Sequence, residues 1–122
     1  VVTVAAYNQN NNNLLSYSGV AFRDEYMDKI DFAAGGVNTL TVGLNNSTQV
    51  ISGTSLAAAI GAGACALLFQ WGIVQGNYPY MYSQSIKTFL RRGVIKRGKD
   101  IYPNPQWGYG IINFYKIFEK ML

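Results

Sequence analysis

Gly53-Thr54-Ser55, leading into Leu56-Ala57-Ala58-Ala59-Ile60-Gly61-Ala62-Gly63-Ala64, is where this sequence concentrates residues able to do chemistry. The glycine permits a sharp turn, and the small residues after it open a helix. Thr54 is expected to cap that helix, which puts Ser55 in its first turn. Unpaired N–H groups and the positive end of the helix dipole favour negative charge there. A serine so placed suits a nucleophile whose own backbone N–H helps to hold an oxyanion. The same three residues also make an ordinary capping turn with no chemistry, and spacing alone favours that plainer reading. A nucleophilic serine needs a base, and the sequence contains no histidine. Its carboxylates (Asp24, Glu25, Asp28, Asp31, Asp100 and Glu119) offer no evident substitute.

Other candidates have bland readings. The cations Lys87, Arg91, Arg92, Lys96, Arg97 and Lys99 read as a solvated helix face and loop, with an anionic partner surface or a docking face for a pro-segment as the functional alternative. With Phe89 read into the apolar face of the helix, no aromatic residue is left interleaved with them for stacking, so nucleic acid is not expected as a partner. Tyr78, Tyr80 and Tyr82 are expected to pack a loop against the core. Cys65 sits among alanines and leucines, where a buried, inert thiol is the default. The overlapping glycosylation patterns at Asn45 and Asn46 carry little weight. The acidic residues lack calcium-loop spacing, and no metal or other cofactor is expected.

The elements that must position Ser55 follow from patterning. At 122 residues the chain has room for one modest domain, burying roughly two thirds of its extended surface. Its 49% hydrophobic and 13% charged content argues against disorder, and a net charge of +4 permits an acidic partner without requiring one. A single cysteine excludes an internal disulfide. No apolar run is expected to reach the length of a membrane span. The sequence opens directly in strand-like residues with no signal peptide, which reads as a cleaved or excised piece of a longer protein.

Residues 1–7 predict a buried strand, and Asn8 to Asn13 a polar loop. Leu14 to Phe22 holds a short extended piece, followed by the loop Arg23-Asp24-Glu25. Ile30 to Ala34 forms a further apolar segment ending at Gly35-Gly36. Val37–Leu44 and Gln49–Ser52 predict a hairpin around Asn45-Asn46-Ser47-Thr48. A long helix is predicted from about Thr54 to about Gln75, ended by Gly76-Asn77. Gly61 and Gly63 each weaken it, so both imply close approach of another backbone. Leu67, Leu68, Phe69, Trp71 and Ile73 are expected in the core. A second helix over Ser83–Arg92 presents Ile86, Phe89 and Leu90 on one face. A basic loop, 93–101, follows it, and a third helix spans about Asn113–Met121. Strands followed by helices give an α/β class.

Several of these segments resemble the subtilisin-like serine proteases. Gly53-Thr54-Ser55-Leu56-Ala57-Ala58-Ala59 with Gly61 to Leu68 is similar to that family's nucleophile-helix signature. Val1–Ala6 resembles the strand before it, and Leu15-Ser16-Tyr17-Ser18-Gly19 a Phe-Ser-containing segment. Lys29 to Val37 resembles the stretch Pro-Asp-(apolar)-x-Ala-Pro-Gly-Val. Gly108-Tyr109-Gly110-Ile111-Ile112-Asn113 resembles the closing Gly-x-Gly motif. Trp71-Gly72-Ile73 and Pro103 to Gly110 look most similar to a clostridial branch that includes the Csp proteases.

The resemblance implies a fold class, α/β, in which residues 1–122 are the C-terminal segment of an incomplete peptidase domain. Its mostly parallel sheet would be flanked by helices and completed by missing upstream strands. It further implies a serine endopeptidase in which Ser55 is acylated and its N–H contributes to the oxyanion hole, with Thr54 and Gly53 shaping the turn. In family order the Asp, His and oxyanion-hole Asn precede Val1, so this polypeptide alone is expected to be inactive. Its implied partners are that upstream part, a protein or peptide substrate and a pro-segment. The implied location is secreted or spore- and envelope-associated. The alternative is a pseudoprotease of the same fold acting as a binding or regulatory protein. Ala59-Ile60 stands where the family has Pro-His, and Ala34-Gly35-Gly36 where it has Ala-Pro-Gly. Leu56 replaces the frequent Met beside the nucleophile and removes an oxidisable sulfur. Of the specificity pocket, only Ser52 and the residues flanking Ser55 would belong to this chain.

Overall fold

Small residues decide this architecture. Strand β1 (Val4–Asn8) pairs in parallel with β3 (Phe32–Gly35), in the register Val4 to Phe32, Ala5 to Ala33, Ala6 to Ala34 and Tyr7 to Gly35. A two-residue strand, β2 (Asn13–Leu14), lies antiparallel on the other edge of β1. The sheet order is therefore β2-β1-β3, with one parallel and one antiparallel pair. Beyond β3, Ile111 bridges Ala33 in parallel and Ile95 in antiparallel fashion, which extends the hydrogen bonding by single residues. The computed structural model describes residues 2–11, 13–14, 18, 30–98, 100–103 and 106–121. Most of the extended piece expected over Leu14 to Phe22, the loop Arg23-Asp24-Glu25 and Lys99 lie outside the described residues.

Every residue of β3 is buried. Its alanines, with Ala5 and Ala6 of β1, leave room for a helix to approach closely. Helix α1 (Thr54–Phe69) fills that room with Ala57, Gly61, Ala64 and Leu68, a spacing of four, three and four residues that keeps one face on the sheet. A side chain at Gly61 would stand 2.8 Å from Val4 Cγ2, so a larger residue there would force Val4 or α1 to shift. Gly63 meets nothing within 4 Å, and the close approach expected of it does not occur.

The remainder of the predicted long helix is a π-helical extension, Gln70–Val74. Leu67, Phe69 and Ile73 are exposed, contrary to the core role expected of them. Leu67 lines a groove with Phe114, Tyr115 and Phe118 of the last helix, and Phe69 one with Val2, Cys65 and Ile86, so both are covered only in part. The span Thr54–Val74 is in fact long and apolar enough, by length and mean hydropathy (1.7), to cross a membrane. Only 28% of that window is buried, and in α1 the buried part is the face that packs on the sheet.

Helix α2 (Ser83–Arg92) has the expected boundaries, and Ile86, Phe89 and Leu90 are its buried face. Helix α3 (Phe114–Met121) starts after Asn113, whose Oδ1 accepts the Lys116 N–H at 2.9 Å as a helix cap. Phe32, Leu68, Ile86, Leu90 and Ile117 form the main core, while Trp107, Ile30 and Ile111 fill a second cluster beneath β1 and β3. Tyr78, Tyr80 and Tyr82 are exposed instead of packing inward. Among the described residues only Tyr78 of the three finds an aromatic neighbour, edge-on to Phe89 at 5.4 Å.

Candidate active site

Ser55 is the second residue of α1 and is exposed. The turn before it is fixed by backbone contacts. Gly53 is the N-cap residue, with φ 150° and ψ 166°, a conformation that L side chains rarely adopt. Its N–H donates to Gly36 O at 2.8 Å, and Gly36 N–H donates to Tyr7 O at 3.0 Å. The nucleophile candidate is thereby hung from the ends of β1 and β3. Gly36 must itself be small, because a Cβ there would lie 2.7 Å from Ala6 Cβ and 2.9 Å from Gly53 O.

A second tether comes from Ser52, whose Oγ accepts the Asn38 N–H at 2.9 Å. Asn38 has φ 51°, a left-handed conformation that Asn tolerates better than most residues. Between these tethers runs the expected hairpin, β4 (Thr39–Val42) and β5 (Thr48–Ile51), with Asn45 and Asn46 at positive φ in its turn. Ser18 Oγ accepts the buried Ala6 N–H at 3.1 Å, so Ser18 supports the strand beneath α1.

Thr54 does not cap α1. The cap residue is Gly53, with no side-chain hydrogen bond, and Thr54 is already helical. No acidic residue occupies the first turn, so its backbone N–H groups keep their capacity for an anion. Among the described residues none hydrogen-bonds the Ser55 hydroxyl, and no group of three His, Cys, Asp or Glu side chains converges to hold a metal ion. Burial pushes the Cys65 thiol above its ordinary value of 9.0, which keeps it protonated and a poor nucleophile at neutral pH. The sequence marked the Gly53-Thr54-Ser55 turn and the Gly35-Gly36 turn signal, but not the hydrogen bond that joins Gly53 to Gly36, nor Asn38. Asn38, just after Gly35-Gly36-Val37, carried a turn signal that could have found it.

The basic cluster is not simply solvated. Lys87 pairs with Asp31 at 3.4 Å, and Arg97 with Asp100 at 3.4 Å. Arg91 Cζ lies 3.8 Å from the Tyr109 ring centre, Arg97 Cζ 5.0 Å from that of Trp107, and Lys96 Nζ 5.8 Å from that of Tyr102. Tyr109 and Trp107 reach Arg91 and Arg97 through the fold and not as neighbours in sequence, which is why these ring partners were not visible in the sequence. These cations cover the protein's own rings, leaving those rings less open to a base.

The sequence model of the Subtilase family matches residues 1–110. The CspB protease of Clostridium perfringens is similar in structure, with TM-score 0.91 and 40% identity over 98% of this chain and 26% of that one. The prenylagaramide maturation protease PagA gives TM-score 0.75 and 26% identity over 100% of this chain and 42% of that one. A lanthipeptide protease shares the fold, with TM-score 0.78 at 23% identity, covering 100% of this chain and 41% of that one. This chain thus spans well under half the length of these proteins. No curated protein sequence matches it.

Proposed function

The chain belongs to the subtilase family, and from that premise we propose that it is the C-terminal segment of the catalytic domain of a serine endopeptidase, with Ser55 as its nucleophile. The observation that carries this reading is the exposed Ser55 in the first turn of α1, on a Gly53 turn pinned to the ends of β1 and β3. The Asp, the His and the oxyanion-hole Asn are assigned to an upstream part of the same protease. The short span of this chain against its structural relatives, and its lack of histidine, support that assignment. Without that part this polypeptide is inactive. By the same family reasoning, substrates are proteins or peptides and the location is secreted or spore- or envelope-associated.

In the proposed reaction the upstream His takes the proton from Ser55 Oγ as the oxygen attacks the scissile carbonyl carbon. The negative oxygen of the tetrahedral intermediate is held by the Ser55 N–H at the helix terminus and by the upstream donor. Collapse breaks the C–N bond, and the His passes its proton to the departing amine. Water then attacks the acyl-enzyme by the same route in reverse and releases the acid. Gly53 and Gly36 keep the attacking oxygen in place, and Thr54 shapes the first helical turn.

The test is peptide hydrolysis by the intact protein against its Ser55→Ala variant. Loss of the nucleophile is expected to cut kcat by about a million-fold. Equal, negligible rates in both, in folded protein carrying the upstream part, would move the assignment to a pseudoprotease of the same fold.

A further inference from the structure

Away from Ser55, a groove enclosing about 500 Å³ runs along the outer flank of α2. Gln84, Thr88 and Arg92 recur every four residues and therefore stand in one line along that flank. At 1.5 Å per residue this line is about 12 Å long. The facing wall is aromatic. Trp71 and Tyr78 are each held edge-on to Phe89, at 5.9 Å and 5.4 Å, so the wall is built by packing. Tyr82 adds an exposed ring, and Lys120 reaches the groove from α3.

The charge is one-sided. Arg92 and Lys120 line the groove, and no carboxylate among the described residues does so. Asp31 and Asp100 are engaged with Lys87 and Arg97, and Glu119 lines a different groove, between α1 and α3. The polar line also suits a polypeptide backbone. Gln84 offers an amide that donates and accepts, and Thr88 Oγ1 donates to Gln84 O, which leaves its lone pairs to accept. A DNA duplex carries a charge every ~1.7 Å, far more than two cations neutralise.

We propose that this groove binds an acidic peptide segment, with carboxylates toward Arg92 and Lys120 and an apolar side chain against Trp71 and Tyr78. An extended chain advances about 3.3 Å per residue, so the groove takes roughly four residues. The site is independent of the chemistry proposed for Ser55.

The experiment uses the intact protein bearing Ser55→Ala, so that the probe is not cleaved, and a fluorescein-labelled Asp-Phe-Glu-Asp peptide read by anisotropy. Saturable binding is expected, weakened about tenfold or more by Arg92→Glu with Lys120→Glu and by raised salt. The neutral Asn-Phe-Gln-Asn peptide should bind about tenfold more weakly. Because Arg92 also lies 5.2 Å from the Phe89 ring centre, Lys120→Glu alone serves as the second variant, expected to weaken binding severalfold at unchanged Tm. Equal binding of the neutral peptide, no effect of either variant, or binding of an anionic oligosaccharide but not the peptide would overturn the proposal. With Ser55 in place, fluorophosphonate labelling of Ser55 should be unaffected by Lys120→Glu, which separates failure of this site from failure of the catalytic reading.

Discussion

Lys87 Nζ lies 3.4 Å from Oδ1 of the buried Asp31, and Oδ2 of the same carboxylate accepts the Thr3 N–H at 2.9 Å. The backbone oxygen of Asp31 also accepts the Tyr109 N–H at 2.8 Å. One residue thus ties the approach to β1, the start of β3, the middle of α2 and the Gly108-Tyr109-Gly110 turn. Lys87 retains some access to water and Asp31 almost none, so removing the lysine strands the charge that is harder to hydrate. Lys87→Met is expected to cost about 3 kcal/mol, and Asp31→Asn with Lys87→Met to recover about 1 kcal/mol of it. Denaturant unfolding of the intact protein measures both. A Lys87→Met variant as stable as the parent would contradict the pairing.

The two glycines of α1 should answer a Cβ in opposite directions. Gly61→Ala drives a methyl to within 2.8 Å of Val4 Cγ2 and is expected to cost about 1–3 kcal/mol through overpacking. Gly63→Ala enters open space and is expected to stabilise by about 1 kcal/mol through helix propensity. Thermal unfolding of both variants tests the prediction, and shifts of the same sign would refute the packing assigned to α1.

These glycines mark where the sequence was legible and where it was not. Ile86, Phe89 and Leu90 stand out among polar neighbours, so both the boundaries and the buried face of α2 could be read directly. Asn45-Asn46 announced the hairpin turn by residue type. Helix α1 is apolar on every side, so periodicity could not say which face meets the sheet, and Leu67 and Ile73 were wrongly placed in the core. Thr54 looked like a cap because its hydroxyl could serve as one, but the chain turns one residue earlier, at Gly53. The Gly53-Thr54-Ser55 turn was visible as a motif. Its tethers to Gly36 and Asn38 depend on tertiary pairing that no local pattern encodes.

Leu56 gives the proposed site a chemical property. A thioether next to the nucleophile would be a target for peroxide, and leucine is not. The intact protein is expected to keep the proposed hydrolytic activity in peroxide, and Leu56→Met to make it sensitive. Residual hydrolysis after timed exposure compares the two, and rapid inactivation of both would count against this account.

Alkaline pH should loosen the fold. Burial raises the ionisation of Cys65 above 9.0 and that of Tyr7 above 10.0. Tyr102 is raised as well, first by burial and then by Asp100, against the Arg97 N–H that its oxygen accepts. Each group is held neutral in the folded state, so the unfolded chain releases its protons first. The stabilisation is therefore complete below the ordinary value of each group and declines as pH rises past it. The Tm is expected to fall from about pH 9 upward, and Cys65→Ala to move that onset toward the tyrosine range. A Tm that holds constant through this range would contradict the assignment.

The most direct test of the central claim is labelling of the intact protein by a fluorophosphonate serine probe, with the modified residue mapped by mass spectrometry. A single adduct on Ser55 is expected, abolished by Ser55→Ala and absent when residues 1–122 are treated alone. Folded intact protein that leaves Ser55 unmodified, or places the adduct on another serine, would contradict it.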